Sequence, residues 1–495
     1  MKYGFLIDQR KCIGCHACTV ACKAENHVPV GSFRTWVKYT EKGTFPSVRR
    51  HFTVLRCNHC DNAPCVTICP VKALHKRPDA IVDLDRDQCI GCVACMQACP
   101  YDALYLNEDT GTAEKCHFCA HRVELDLEPA CVVVCPEEAI VCGDVDNPES
   151  RIANTLRDQE TSQRKLEKGT QPKLWYVDAL EASLQPGSAR EPEAWLWSDR
   201  RQAPVAVPGF EALPDLVTTF NVDHSRRWGW HIYGYLMTKN LAAGTMLLAP
   251  WCTLAGYDGG LFPEIAALFF LAITSFLLVH DLGKPERFLK ILLRPNLKSW
   301  LVLGTYFLIG FGALTSASLV ARLAGWPEVA NGLRWLNLPF ALMTSGYSAF
   351  LFAQCKGRDL WLEKGLFATL ILRAVLLGGA VATFFPQSPD RDQSWPLAGL
   401  TCFLAGLLVV WQEIRHRKQS PESENGRRAH RLMFERLAHA KTDFMLLMAA
   451  VLGGAAAFST APMFTFGLMI LPLAAVALLL LEKAWIEAGQ EVPLS

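Results

Sequence analysis

Sixteen cysteines between Cys12 and Cys135 fall into four groups of four. The groups read Cys12-x2-Cys15-x2-Cys18-x3-Cys22, Cys57-x2-Cys60-x4-Cys65-x3-Cys69, Cys89-x2-Cys92-x2-Cys95-x3-Cys99 and Cys116-x2-Cys119-x11-Cys131-x3-Cys135. A proline directly follows Cys69, Cys99 and Cys135. An iron–sulfur cube needs four soft thiolates, three of them from a tightly curled Cys-x-x-Cys-x-x-Cys loop and one from a cysteine ahead of proline. The spacing therefore predicts four [4Fe–4S] clusters. Gly14 and Gly91 suit loops that wrap closely or take positive φ. Disulfides would need an oxidising compartment and rarely show such triplets. Zinc ribbons use Cys-x2-Cys pairs rather than triplets with Cys-Pro. Cys142, Cys252, Cys355 and Cys402 lie outside the pattern and read as ordinary buried residues.

Composition changes sharply along the chain. The net charge of +1 argues against a nucleic-acid role. Residues 1–227 are polar and Cys-rich, whereas from about 231 onward long apolar runs dominate. Eight runs of about 20 residues are each long enough to cross a bilayer: 231–253, 261–281, 299–322, 335–355, 361–385, 395–413, 442–461 and 465–483. The expected architecture is an α+β poly-ferredoxin domain over 1–180, a Pro-rich linker over 181–227 and an all-α polytopic membrane bundle over 228–495. Lys173-Leu-Trp-Tyr-Val177 reads as a strand closing the first domain. Trp195 and Trp197 either dock the linker or pack loosely. Trp228, Trp230, Tyr233 and Tyr235 read as an interfacial aromatic belt.

With eight spans, the N-terminal domain shares a side with the loops after spans 2, 4 and 6. Those loops hold sixteen Lys and Arg residues, from Lys284 to Lys441, against Arg322, Arg334 and Arg391 in the opposite loops. The positive-inside rule then puts the cysteine domain in the cytoplasm of a prokaryotic cell, at its inner membrane. A reducing cytosol also suits sixteen thiolates. No leader motif precedes Cys12, in line with that side.

The cysteine array resembles the four-cluster electron-transfer subunits of the molybdopterin oxidoreductase family, of the polysulfide and dimethyl sulfoxide reductase type. The resemblance implies a nested pairing. Cys12, Cys15, Cys18 and Cys135 would hold one cluster, and Cys22, Cys116, Cys119 and Cys131 a second. Cys57, Cys60, Cys65 and Cys99 would hold a third, and Cys69, Cys89, Cys92 and Cys95 the fourth. The second half resembles the NrfD/polysulfide reductase membrane-anchor family through His280-Asp-Leu-Gly-Lys-Pro-Glu-Arg-Phe288 and Arg294-Pro-Asn-Leu-Lys-Ser-Trp300. Joining the two modules fixes their ratio and raises their local concentration.

Bis-histidine haem would need histidine pairs inside the spans, and the interior histidines are too few, so no haem is expected. A lipid-soluble quinone, menaquinone or ubiquinone, is the natural exchange partner in the bilayer. Its two-electron, two-proton chemistry needs polar groups at each carbonyl and a proton route. Topology brings His231, His280 and Asp281 to the cluster side. Tyr347 lies about 12 Å deeper at 1.5 Å per residue. The resemblance implies quinone-binding roles for a first-span histidine and a fourth-span tyrosine, here His231 and Tyr347. Asp281 and Arg287 read either as loop-bracing or as quinone and proton groups. Arg373, mid-span, should face the bundle interior and pair with a carboxylate such as Glu264. Lys239 reads as snorkelling, and the basic run 415–441 as a solvated loop.

The expected function is an electron-transfer and membrane-anchor subunit serving a separate molybdopterin-type catalytic subunit. The alternatives are an ion-translocating membrane module driven by the same redox chemistry and a redox-linked scaffold.

Overall fold

The first half closes around β1 (Tyr3–Asp8), whose Phe5, Leu6 and Ile7 are almost fully buried. An apolar run covered on both faces suits an interior strand. β1 runs antiparallel to β8 (Ile140–Asp144) and parallel to β10 (Leu174–Val177), with β9 (Thr161–Ser162) on the far edge. The strand expected at 173–177 therefore joins the end of this half to its beginning. A second sheet is built from the hairpin of β2 (Thr35–Thr44) and β3 (Ser47–Arg56). Two short hairpins, β4 (Leu74–Lys76) with β5 (Val82–Leu84) and β6 (Leu104–Asn107) with β7 (Thr112–Lys115), follow the second and third cysteine groups.

The computed structural model describes residues 1–494 except 45, 186, 187, 190–215, 225–227, 257, 386–396, 420 and 459–462. Trp195, Trp197 and Arg391 thus lie outside the described residues. Part of the expected linker is structured. β11 (Leu216–Phe220) pairs antiparallel with β2, returning the polypeptide to the first half. Its β-prone Leu216-Val-Thr-Thr-Phe220 is short and sits close to prolines, so composition alone reads as linker.

The second half is helical. Its main helices are α1 (Trp230–Leu254), α2 (Phe262–His280), α3 (Trp300–Leu323), α4 (Pro327–Ala353) and α5 (Leu366–Ala382). They continue with α6 (Leu397–Lys418), α7 (Glu424–Ala440), α8 (Thr442–Phe458) and α9 (Met463–Glu491). Five of the described helices, α2, α3, α4, α6 and α9, are long and apolar enough to cross a membrane, and six crossings result if the bent α7–α8 pair is one span. α5 is apolar but shorter. α1 packs against α2, α4, α5 and α9 and buries Lys239, Asn240 and Thr245. A helix surrounded by other helices can carry polar groups that a lipid-facing helix cannot. α1 and α5 touch through backbone: a Cβ on Gly244 would sit 2.0 Å from the Ala374 carbonyl oxygen, so only glycine fits. Small residues allow such approach where no hydrophobic force drives helices together.

Several sequence expectations change. The 415–441 run is no solvated loop: it holds α7, whose Ala429, Leu432, Met433 and Leu437 are buried. Arg436 of α7 reaches Glu487 of α9 at 2.7 Å. Trp228 and Tyr235 are not belt residues. Both are buried, and Trp228 stacks on Trp361 at 5.4 Å. Lys239 does not snorkel. It is fully buried and donates to the Ser345 carbonyl at 2.9 Å and Ser348 Oγ at 2.6 Å. Arg373 pairs with Glu413 of α6 at 3.1 Å, not with Glu264. Glu264 instead holds Arg334 in a two-pronged bond, Nε–Oε1 2.7 Å and Nη2–Oε2 2.8 Å, tying α2 to α4.

The loop between α2 and α3 docks the two halves together. Gly283 N–H donates to the Gly91 carbonyl at 3.2 Å, and Lys284 N–H to Ile90 at 3.1 Å. A Cβ on Gly91 would lie 2.7 Å from Gly283 Cα, so the backbones meet directly. Asn296 N–H donates to the Pro70 carbonyl, and its side-chain amide reaches Val66, Thr67 and Cys69 carbonyls at 3.3, 3.2 and 2.8 Å. Ser299 Oγ donates to Ile68 at 2.6 Å. Leaving buried carbonyls without a donor costs about 1–3 kcal/mol. Asn296→Ala should therefore weaken the joint by that amount. Hydrogen exchange over residues 66–70 should rise by about tenfold or more, and unchanged exchange there would remove Asn296 from the joint.

Candidate functional site

The first Cys-x-x-Cys turn of each group is built the same way. The residue just before the second cysteine takes a left-handed conformation: Gly14 (φ 72°), His59 (φ 44°), Gly91 (φ 71°) and Phe118 (φ 62°). The left-handed residue turns successive backbone N–H groups inward, forming a concave nest for negative charge. Glycine takes this shape freely, and His59 and Phe118 take it at a cost. After each Cys-Pro a second left-handed residue follows, at Lys72, Asp102 and Glu138. There the backbone folds back on the sulfur, and Ala139 N–H donates to Cys135 Sγ at 3.2 Å.

The folded protein gathers the sixteen thiols into four quartets. Cys12, Cys15, Cys18 and Cys135 line one hollow, and Cys22, Cys116, Cys119 and Cys131 another. Cys69, Cys89, Cys92 and Cys95 line a third. Cys60 and Cys65 have Cys57 and Cys99 as electrostatic neighbours. Burial pushes the Cys18 thiol up to about 11, with Arg56 opposing and Cys131 and Cys12 adding to the rise. Four soft thiols around one hollow, with N–H groups turned toward sulfur, fit an iron–sulfur cube. Among the described residues no three His, Cys, Asp or Glu side chains converge tightly enough for a single metal ion.

The quartets also form a line. Cys95 neighbours Cys65, Cys57 neighbours Cys116, and Cys18 neighbours Cys131. One end is the Cys89–Cys92 loop docked on Gly283. The other is open: Cys15 is exposed, and beside it Ile13 and Val20 are 54% and 65% exposed. Of the four extra cysteines, Cys252, Cys355 and Cys402 are buried, and Cys142 is half-buried on β8.

At the docked end, three of the five polar candidates meet. His231 Nε2 lies 2.9 Å from His280 Nδ1, and His231 Nδ1 lies 3.3 Å from Asp281 Oδ1. Trp230 stacks on the His231 ring at 3.9 Å. Burial pushes the Asp281 carboxyl up to about 7. Asp281 also faces Cys92 closely enough to oppose ionisation of its thiol. Arg287 turns the other way: its Nη1 donates to the Arg86 and Cys89 carbonyls at 2.8 and 3.0 Å, bracing the cysteine loop. Tyr347 sits deeper, almost fully buried, with Lys239 Nζ 4.7 Å from its ring centroid. Its neighbours are Tyr235 and Ser348 rather than the histidines. The sequence placed Tyr235 in an aromatic belt and Lys239 at the membrane surface, whereas both are buried beside Tyr347. The available signal was an uncompensated lysine one turn beyond a tyrosine inside a span.

Gln97, on the helix that carries Cys95, was also missed. Its amide donates to Gln490 of α9 at 3.0 Å and accepts from Arg358 Nε at 2.9 Å. No local pattern announces a contact between residues nearly four hundred positions apart.

Comparison with known proteins agrees with this layout. A 4Fe-4S binding domain matches residues 3–24, a 4Fe-4S dicluster domain residues 48–145, and the family "Polysulphide reductase, NrfD" residues 219–394. A tetrathionate reductase subunit of Salmonella typhimurium is 44% identical over 199 residues, covering 39% of this chain and 80% of the relative. A polysulfide reductase chain of Wolinella succinogenes is 40% identical over 179 residues, 36% of this chain and 94% of the relative. A putative dimethyl sulfoxide reductase iron–sulfur subunit of Halobacterium salinarum is 37% identical over 249 residues, 43% and 95%. The protein belongs to the family of ferredoxin-type iron–sulfur electron-transfer subunits of the polysulfide and dimethyl sulfoxide reductase type, joined here to an NrfD-type membrane domain.

Proposed function

We propose that this protein carries electrons between membrane quinone and a separate molybdopterin-type catalytic subunit, using four [4Fe–4S] clusters. The carrying observation is the line of thiol quartets, one end docked on the Gly283 loop and the other exposed around Cys15. The sixteen ligands are the four quartets gathered above. When bound, each cluster accepts and releases one electron at a time. The protein's own groups do the rest. Backbone N–H groups of the left-handed turns face the sulfurs, and most of the sixteen thiols are buried from water. His231, His280 and Asp281 supply hydrogen bonds and proton acceptors for a quinone headgroup beside the Cys89–Cys92 loop. Tyr347, Tyr235 and Lys239 form the inner wall. The exposed apolar rim at Ile13 and Val20 suits a docked catalytic subunit.

The domain scheme is residues 1–180 for the clusters, 181–227 for the connection including β11, and 228–495 for an eight-span membrane unit. Lys284, Lys290, Arg294 and Lys298 lie on the cluster side of the bundle, which supports a cytoplasmic cluster domain in a prokaryotic inner membrane.

Quinol oxidation releases protons as well as electrons, and burial raises the Asp281 carboxyl to about 7. Reduction of the clusters by a quinol analogue should slow by about 100-fold in His231→Ala, within the usual range for losing a general base. The parent rate should rise with pH through about 7, as the Asp281 carboxyl loses its proton and becomes a base. Asp281→Asn should lower the rate and remove that rise. Stopped-flow bleaching of cluster absorbance reads both, and parent-like rates and pH profile in both variants would move the quinone site elsewhere.

One observation favours the second reading, an ion-translocating module. Glu482 of α9 is buried without a hydrogen-bond partner among the described residues, within electrostatic reach of Lys239 and Arg373. The Arg373–Glu413 pair continues this polar row toward a hollow lined by Glu363, His416 and His430. Under this reading, Glu482→Gln abolishes charge movement in proteoliposomes during quinol oxidation and leaves electron transfer intact. Absence of charge movement in the parent protein would exclude it.

A further inference from the structure

Arg56 ends β3, immediately before the first cysteine of the second group. Its side chain is 1% exposed. Nη1 donates to Cys131 Sγ at 3.1 Å, and the guanidinium lies 4.4 Å from the Phe5 ring centroid. Nε and Nη2 are buried and have no hydrogen-bond partner among the described residues. Four other buried cations of this half, Arg34, Lys173, Lys115 and Arg164, have oxygen acceptors. Arg34 holds Glu114 at 2.7 Å, Lys173 holds Asp61 at 3.2 Å, and Lys115 donates to the Val82 and Cys116 carbonyls. Arg164 donates to the Leu494 carbonyl at 2.8 Å. Arg56 has no carboxylate within salt-bridge distance among the described residues. The groups around it are the thiols Cys131, Cys116 and Cys18 and the aromatic face of Phe5.

A fully buried cation without a counter-charge is strongly destabilising. A guanidinium also stays charged at any working pH. The charge must therefore be balanced by something that the thiol quartets hold. Cys131 and Cys116 belong to one quartet and Cys18 to the next, so Arg56 stands at the junction of the two outer members of the line.

We infer that Arg56 is the permanent counter-cation of the two outer iron–sulfur clusters and sets their reduction potentials above those the same thiolate cages would give alone. This rests on the cluster-binding reading above. An electron added to a cluster adds one negative charge. A fixed positive charge in a dry interior stabilises the reduced form more than the oxidised form, because Coulomb attraction there is weakly screened. Its hydrogen bond to sulfur acts in the same direction. The effect is larger for the cluster on Cys22, Cys116, Cys119 and Cys131, which receives both the bond and the charge. The cluster on Cys12, Cys15, Cys18 and Cys135 receives the charge alone. Arg56 is thus a positioning residue for charge, drawing electrons toward the exposed end of the line.

The test uses the full-length protein in detergent, with iron content and EPR-monitored redox titration of the parent, Arg56→Gln and Arg56→Lys. In Arg56→Gln the reduction equilibrium of one cluster should shift at least tenfold toward the oxidised form, about 59 mV for a one-electron couple. A second cluster should shift less, and the remaining two should stay in place. Arg56→Lys keeps the charge and should recover most of the shift. If Arg56→Gln loses iron while Arg56→Lys keeps iron and potentials, the counter-cation role stands. Unchanged potentials in an iron-replete Arg56→Gln would overturn it. So would equal shifts, or equal iron loss, in the two variants, because shape rather than charge would then be responsible. A parent protein without [4Fe–4S] signals would instead refute the cluster reading itself.

Discussion

Four thiolates around one hollow repel each other and resist leaving water, and the local fold of the first half answers that constraint. Such a quartet is stable only around a compact positively charged centre. The left-handed residue before the second cysteine of each turn aims backbone N–H groups at the sulfurs. The bend after each Cys-Pro does the same from the other side. Neither device leaves much sequence for conventional core. The hydrophobic support comes from β1 between β8 and β10 and from the β2–β3 hairpin wrapping the outer quartets. Arg56, at the end of that hairpin, brings a charge into the space that the sulfurs leave.

The second constraint is proximity between that array and the membrane half. Two glycine backbones, Gly91 and Gly283, meet with no room for a side chain. Asn296, Ser299 and Arg287 then satisfy carbonyls of the cysteine loops that water would otherwise have to reach. The signature loop after α2 is therefore a joint as well as a candidate site. His280 and Asp281 at its start face His231, while Gly283 to Ser299 hold the cysteine loops in place. Away from this joint, the buried Glu264–Arg334 pair ties α2 to α4.

What was legible in the sequence is what local spacing and long runs encode. The cysteine groups lie close along the sequence, and every expected apolar run contains or overlaps a helix. The strand at 174–177 was readable from its aromatic and β-branched residues. What was not legible depends on which helix faces meet. Arg373 finds Glu413 rather than Glu264 because α5 packs on α6, a choice no span-level pattern shows. Lys239 looked like a snorkelling residue because its position in the span was visible and its buried acceptors on α4 were not. Tyr347 read as the deeper wall of one pocket shared with His231, yet its neighbours are Tyr235 and Ser348 rather than the histidines. β11 was hidden by the composition around it.

The central claim is that all four quartets hold cubane clusters. Iron and acid-labile sulfide should be measured on the anaerobically purified full-length protein, with Mössbauer spectroscopy to identify cluster type. The account predicts about sixteen iron and sixteen sulfide per polypeptide, in delocalised [4Fe–4S] centres. Stoichiometric zinc, or iron markedly below that figure in a fully folded protein, would contradict it.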